Sequence, residues 1–480
     1  MTAEPVRTAA RRRPADVWPE VVERVSSGER FAGMHADHCP QGLRLTVLLA
    51  GDDAIEPVDA WLAPEADTYP ALTPLLPTAA WYERAIHDLY GVRPERHPRL
   101  LPLQLDRAMG SEPRLVSGYG VFAIPHGPVR SGVMETIQFL VETPGEDIPR
   151  LSIRPQFKHR GVEARFAGLS VADGVLLAER VEGVASVAHA LAYSHAVEQL
   201  AGVEVPHRGR LVRVLHAELE RIANHLDVAV RLADAAGLAV ATARFAWHKE
   251  NVLRLVSGLC GSRFGRGVVV PGGVRLAPAE GTLAALLDEF DRMEAELAGD
   301  VKALMALPSF LDRIRGTGPL TLAQAARHGA LGPVARASGV SDDNRITRPY
   351  DTYASLGTRS VPASTVGDAM ARLRVRWAEV DGAFHLLRQV VDELADDPGG
   401  PLLAEVDEVP DGRGVGWAEA PQGEVVYAVR VDSGRVARCA PRSASFHNLT
   451  LFHDVFVGDI LTDFPFIEAS FGLSVAGVSL

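Results

Sequence analysis

Cysteine is scarce in this chain of 480 residues: there are three, Cys39, Cys260 and Cys439, and no CxxC pair. A cubane iron–sulfur cluster or an all-thiolate zinc site takes about four soft ligands, so neither can be built from these cysteines alone. Isolated cysteines of this kind suit a reducing compartment, where each serves as a small buried hydrophobe. Long apolar runs are missing as well. No uninterrupted stretch reaches the roughly 18 residues of a membrane span, and MTAEPVRTAARRRPADV at the start carries positive charge without the apolar segment of a secretory signal. Basic excess is also lacking. Lys plus Arg is 49 against 61 for Asp plus Glu, a net charge of −12, which argues against a nucleic-acid partner. No GxGxxG follows a strand pattern, so NAD binding by this chain is not expected.

What is present is an ordinary globular composition, 47% apolar and 23% charged, with length for roughly three average domains. Residues 1–28, rich in Arg, Ala and Pro, read as a flexible N-terminus. FAGMHAD from Phe31 and LRLTVLLAG at 42–50 read as strands. His35, His38 and Cys39 have the spacing of half a metal site without a second half nearby, and are expected in a loop between strands. WYERAIHDLY at 81–90 has helical periodicity and stops at Gly91; Glu83, Arg84, His87 and Asp88 would form its solvated or docking face. GYGVFAIPHG and ETIQFLVETPG suggest a strand pair. Helical patterns follow at about 171–202, 207–236, 240–260, 277–300 and 365–395, with a Gly- and Pro-rich loop region at 303–364. In the second of these, Leu211, Leu215, Leu219, Ile222, Leu226 and Val230 form one stripe, while Glu218, Arg221 and Arg231 can face away. Such stripes must bury one another, which predicts a helical bundle. Residues 423–440 read as a hairpin around Asp432–Gly434, and the apolar C-terminus as a buried tail.

The functional question lies with polar residues in apolar surroundings. His126 and Arg130 sit in IPHGPVRSG, and Lys158, His159, Arg160 and Glu163 in KHRGVE. Between a sheet and a helix these could line a cleft, with arginine binding a carboxylate bidentately. Glu182 and His189, seven residues apart, share a helix face; a buried Glu182 must be paired or protonated, which is how a proton-handling site is built. His216 and Glu220 in HAELE are an i,i+4 pair without the HExxH zinc arrangement, and read as a local helix or interhelix pair.

In order along the chain come WYERAIHDLYGV, KHRGVE, AVEQLAGVEVPHRGRLVRVLHAELERIANHL, GPVARASGV, RPYDTY, GWAEAPQGE and SFGLSVAGVSL. Together they resemble a fusion of the thirty-kilodalton and forty-nine-kilodalton subunits of respiratory complex I, in the form of group 4 [NiFe] hydrogenase large subunits such as that of formate hydrogenlyase. The resemblance implies an α+β chain. A small α/β domain like the thirty-kilodalton subunit, at 29–108, would precede a large, mainly helical domain with short strands at 115–480, like the forty-nine-kilodalton or hydrogenase large subunit. It also implies an iron–sulfur small subunit as partner, other redox subunits, and membrane ion-translocating subunits. The chain would then lie peripherally at the cytoplasmic face of the membrane.

Hydrogenase relatives hold nickel and iron on two CxxC motifs, the first in a segment like ERVCGICGFAH. Here ERVEGVASVAH puts Glu182 and Ala185 at those cysteines, and the C-terminal segment offers Ser474 and Gly477 for the second pair. Thiolate ligands are therefore absent, no resident metal is expected, and the chain should not be a hydrogenase. No C-terminal processing is expected beyond Leu480. Against the quinone-site motifs HPSTHG and LDYVS of the complex I branch, Gly127 and Ser131 replace the histidines and Gly183 the tyrosine. That removes the usual hydrogen-bond partners of a quinone headgroup. The expectation is an atypical subunit of a membrane-associated redox complex, coupling electron transfer to ion translocation. Its cavity would be lined by Glu182, His159, Arg160 and Glu163 as the chemical groups and by His126, Arg130 and His189 toward any bound ligand. The alternatives are reduction of a quinone or other acceptor at a remodelled pocket, and a non-catalytic assembly scaffold.

Overall fold

The computed structural model describes residues 11–104, 116, 118, 120–130, 136–361, 364–397, 399–406 and 408–480. The chain divides into two compact units, 1–104 and 105–480.

In the first unit, α1 (Pro14–Ser26) precedes an antiparallel sheet of β1 (Arg30–Cys39), β2 (Gly42–Ala50) and β3 (Ile55–Leu62). The expected flexible N-terminus is thus corrected over 14–26. Proline in the first turn suits the helix start, and Val17, Trp18 and Val21 are buried, with Trp18 Nε1 donating to Pro70 O at 2.7 Å. Residues 1–10 lie outside the described residues. His35, His38 and Cys39 lie on β1 rather than in a loop. Strands β4 (Thr68–Pro70) and β5 (Arg93–Glu95) pair in parallel around α2 (Ala80–Tyr90), which Gly91 ends in the left-handed conformation at φ 72°. The charges of α2 do not form one solvated face. Glu83 is fully buried and accepts from Leu72 N (2.8 Å), Thr73 N (2.9 Å) and the Thr73 hydroxyl, while Arg84 donates to Leu101 O and Pro102 O. Asp88 accepts from Leu103 N and Gln104 N. These side chains serve backbone groups that loops cannot pair among themselves.

The second unit opens with an antiparallel sheet of β6 (Phe122–His126), β7 (Gln138–Thr143) and β8 (Arg150–Arg154). Then come α3 (Val162–Phe166), α4 (Val171–Ala178), α5 (Ser186–Ala201), α6 (His207–Ala235) and α7 (Ala239–Cys260). The single helix expected over 171–202 is broken at 179–185, the segment that holds Glu182. Short strands β9 (Val269–Val270) and β10 (Gly273–Val274) lead to α8 (Leu283–Leu304). The supposed loop region contains α9 (Pro308–Ile314), α10 (Leu322–Arg327), α11 (Gly332–Ala337) and α12 (Asn344–Thr347), before the long α13 (Ala369–Asp396). An antiparallel sheet of β11 (Gly412–Ala420), β12 (Gly423–Asp432) and β13 (Arg435–Arg442) follows, then α14 (Ala444–Asn448), α15 (Phe452–Val455) and α16 (Phe464–Phe471).

The α6 stripe does bury itself: Leu211, Leu215, Leu219, Ile222 and Leu226 join α7, α8 and α13 in one core. On the other side of α6, α5 packs against β11. Glycine permits the approach, since a Cβ at Gly416 would stand 2.2 Å from Ala192 O. The C-terminal tail is buried as expected, with Phe464, Phe466, Ile467, Phe471 and Val478 in the interior. No helix among the described residues is long and apolar enough to cross a membrane.

Candidate functional site

Segment 179–185 and the C-terminal turn 472–480 meet inside the second unit. Glu182, 1% exposed, accepts from Ser445 Oγ at 2.8 Å and lies 3.2 Å from His189 Nε2. His189, fully buried on α5, places its other nitrogen 2.8 Å from the Tyr427 hydroxyl of β12. Ser445 Oγ also accepts from Ser474 N at 3.1 Å, and Ser443 Oγ donates to Gly477 O at 2.8 Å. A Cβ at Gly477 would come within 2.6 Å of Glu182 Oε2 and 2.5 Å of Ser443 Oγ. Glu182 thus approaches Gly477 directly and Ser474 through Ser445, with Ala185 buried one turn along. What fills this place is a hydrogen-bonded carboxylate. The donor set does not fit a nickel–iron centre: Ala185 and Gly477 carry no ligand atom. Among the described residues no group of three or more His, Cys, Asp or Glu could hold a metal ion.

The other expected site residues divide. Arg160 joins the centre through the backbone, donating to Val181 O at 2.6 Å, to Ala476 O and to Ser479 O. It ties the segments on either side of Glu182 and Gly477 together, spending the several donors of its guanidinium on carbonyls of both. Glu163 instead pairs with Arg438 at 2.7 Å, and His159 is exposed. His126 and Arg130 make their contacts elsewhere. Arg130 grips Glu468 of α16 bidentately at 2.6 and 2.8 Å and lies over the Phe139 ring; His126 is 3.1 Å from Arg130 and edge-on to Phe464. Burial and the neighbouring guanidinium hold His126 below the ordinary histidine range, so it is a neutral partner here. Ser131 lies outside the described residues.

Sequence reasoning missed a larger feature. Glu218 and Arg221, expected to face away from the core, are fully buried. Glu218 meets Arg221 (3.0 Å), Arg345 (3.1 Å) and the Tyr353 hydroxyl (2.6 Å); Arg345 meets Asp343 (2.7 Å). Arg336 bridges Glu379 (2.7 Å) and Glu419 (3.1 Å), and His225 reaches Glu379 at 2.8 Å. A second group joins Arg213 to Glu198 (2.5 Å) and Asp351 (3.3 Å), with His195 on Asp351 at 3.2 Å. Burial opposes the charge on Glu218, but Arg221 and Arg345 prevail and hold it below the usual carboxylate range. Burial and Asp343 instead push Glu419 up. Glu218, Arg221 and His225 come from HAELERIANH, Arg336 from GPVARASGV, Asp351 and Tyr353 from RPYDTY and Glu419 from GWAEAPQGE, so motifs that carry the resemblance meet in these buried ionic groups, joined there by Asp343, Arg345 and Glu379 from outside them. The signal available was the 218, 221, 225 spacing, one helix face carrying both signs of charge. For Glu220 the contact is interhelical: it accepts from Val187 N (2.7 Å) and Ala188 N (3.0 Å) at the start of α5.

A strand-rich unit ahead of a helical one, with a buried site where an internal segment meets the C-terminal turn, defines a large subunit of the redox-complex type. The chain matches the family described as respiratory-chain NADH dehydrogenase, 49 kDa subunit, over residues 237–408 and 401–479, and the 30 kDa subunit family over 34–114. It is 30% identical over 352 residues to the carbon monoxide-induced hydrogenase of Rhodospirillum rubrum, covering 73% of this chain and 96% of that protein. It is 30% identical over 362 residues to the membrane-bound hydrogenase subunit alpha of Pyrococcus furiosus, covering 72% and 84%. Among solved structures, a chain of the membrane-bound sulfane sulfur reductase, an archaeal respiratory membrane complex, superposes with a TM-score of 0.71 at 25% identity, covering 75% of this chain and 99% of that one. The chain therefore belongs to the 49 kDa subunit family, with a 30 kDa-type segment fused ahead of it. It is a homologue of hydrogenase large subunits that lacks their cysteine ligand set.

Proposed function

We propose that this chain is a subunit of a membrane-associated redox complex in which a proton-handling carboxylate stands where relatives hold metal, and that it couples electron transfer in partner subunits to ion translocation. The observation that carries this reading is the buried Glu182–His189 contact, extended by Tyr427 and Ser445. Glu182 and His189 at 3.2 Å, continued by the Tyr427 and Ser445 hydroxyls, form a buried hydrogen-bonded chain of the kind that can pass a proton. Charge is screened little in a buried, low-dielectric interior, so an electron added to a redox centre of a partner subunit would be felt at this contact. Arg160 positions the site by holding the two segments together, and no step passes through a metal or a quinone bound to this chain. The partners on this reading are an iron–sulfur small subunit and membrane ion-translocating subunits, with the chain peripheral at the cytoplasmic face.

Glu182→Gln in the intact complex, reconstituted into vesicles, tests the reading. Ion translocation per electron should fall at least severalfold while electron transfer from a soluble donor persists. Unchanged coupling in that variant would remove the proton-handling role.

A further inference from the structure

A cavity of about 60 Å³ opens between α6, α7 and the segments 183–187 and 263–265. Val184, Val187, Leu219, Ala223, Leu253 and Val256 make its apolar walls. Its polar groups are His216, Glu220 and Asn224 inside, with Asp227, Lys249 and Arg263 toward solvent. Two of the inner groups have polar atoms without a protein partner. His216, 2% exposed, leaves Nδ1 unpaired, and Asn224, 6% exposed, leaves Oδ1 unpaired. Buried polar atoms without protein partners are costly, and where a cavity reaches them water can meet them. A water needs about 10–15 Å³ and two to four polar partners, so this space suits a file of about four or five.

The cavity also adjoins the site. Gly183 and Val184, directly after Glu182, form part of its wall, and Glu220 is close enough that the charge on Glu182 raises its hold on a proton. We infer that this cavity carries a chain of water molecules connecting solvent at the Asp227–Lys249 mouth to Glu182, with Glu220 as the intermediate proton carrier. This rests on the reading of Glu182 as a proton-handling group.

The surroundings of Glu220 suit a relay. Burial pushes it up to about 8; the Val187 and Ala188 amides and Arg221 pull the other way, and Glu182 pushes up again. A relay works best when its proton affinity lies near the ambient pH. His216 is pushed down to about 4 by burial, so it stays neutral and orients water without adding charge. The remaining charges on the path are compensated at its outer end: Lys249 from α7 pairs with Asp227 at 2.6 Å, and Arg263 pairs with Glu250. In each transfer a proton reaches Glu220 from the water file as one leaves toward Glu182, so no charge accumulates.

Infrared spectroscopy of the purified full chain, titrated with pH and mixed rapidly into D2O, tests this. The wild type should show a protonated carboxyl band that titrates near pH 8 and exchanges its proton within the mixing time. Glu220→Gln should lose that band. Ala223→Val, which narrows the cavity, and His216→Phe, which removes a water-orienting nitrogen at similar shape, should each slow exchange at least tenfold; two variants guard against one that fails to fold. Glu182→Gln should lower the titration midpoint. A band that survives Glu220→Gln, exchange unaffected in whichever cavity variant folds, or a midpoint unmoved in Glu182→Gln would overturn the relay. None of these readouts depends on turnover, so they succeed or fail independently of the coupling experiment in the intact complex.

Discussion

At position 477 the presence of a side chain and the present pose of Glu182 exclude each other. An added Cβ would meet Glu182 Oε2 at 2.6 Å and Ser443 Oγ at 2.5 Å, and both groups are held by hydrogen bonds, to Ser445, His189 and Gly477 O. Gly477→Ala should therefore destabilise the fold by about 1–3 kcal/mol through displaced hydrogen bonds. In a Glu182→Ala background the same change should cost clearly less, and a double-mutant cycle in denaturant measures the difference. Equal costs in both backgrounds would mean that the two positions are not in steric competition. Glu220 supplies the pH dependence. Its folded-state proton affinity is raised to about 8, above an unfolded value near 4.5, so between these limits the folded state binds the extra proton. Stability should be highest at the acid end of that window and fall as pH rises through it. Glu220→Gln should flatten the slope, as unfolding curves at pH 5, 6.5 and 8 would show. Part of the site was legible at this scale. The sequence paired Glu182 with His189 on one helix face, where seven residues would set them about 10 Å apart; their contact comes instead from the turn at 179–185 that precedes α5. Tyr427, Ser443 and Ser445 arrive from a sheet and a turn far later in the chain, which no local pattern encodes.

Helix α6 shows where pattern reading misleads. Its apolar stripe was legible, and the stripe is buried; its charges were assigned to solvent by the same logic, and Glu218, Arg221 and His225 are buried too. Burial of a charge is tolerable only when opposite charges and hydrogen bonds surround it, and here those partners come from Asp343, Arg345, Tyr353 and Glu379. A single helix cannot reveal them. Arg336 is the joint between α11, α13 and β11, since its guanidinium reaches the carboxylates of both Glu379 and Glu419. Arg336→Met should cost about 3–5 kcal/mol by taking the shared cation from two buried carboxylates, and chemical unfolding checks it. A loss below about 1 kcal/mol would show that the lattice rearranges around the gap. The same limit applied to α2, where Glu83 and Arg84 read as surface and instead bind loop backbone. The break between α4 and α5 also escaped helical periodicity, because residues 179–185 keep an apolar rhythm while turning; the turn is what delivers Glu182 to the centre.

For the whole molecule, the order of short motifs was more informative than any one of them. KHRGVE contributes Arg160 to the seam between segments, and the later motifs contribute to the buried ionic groups, so motifs far apart along the chain meet in one three-dimensional frame. What that order could not convey was which frame positions still serve chemistry. His126 and Arg130 anchor α16 through Glu468, and Glu163 pairs with Arg438, so three expected cavity residues have structural partners of their own. The frame is kept, and Glu182 stands at the position where the resemblance to hydrogenases implies a metal ligand. The most direct test is metal analysis of the native complex, isolated anaerobically with its subunits identified. The account predicts iron from partner clusters and no nickel stoichiometric with this chain. Nickel bound to this chain at one per copy would contradict it.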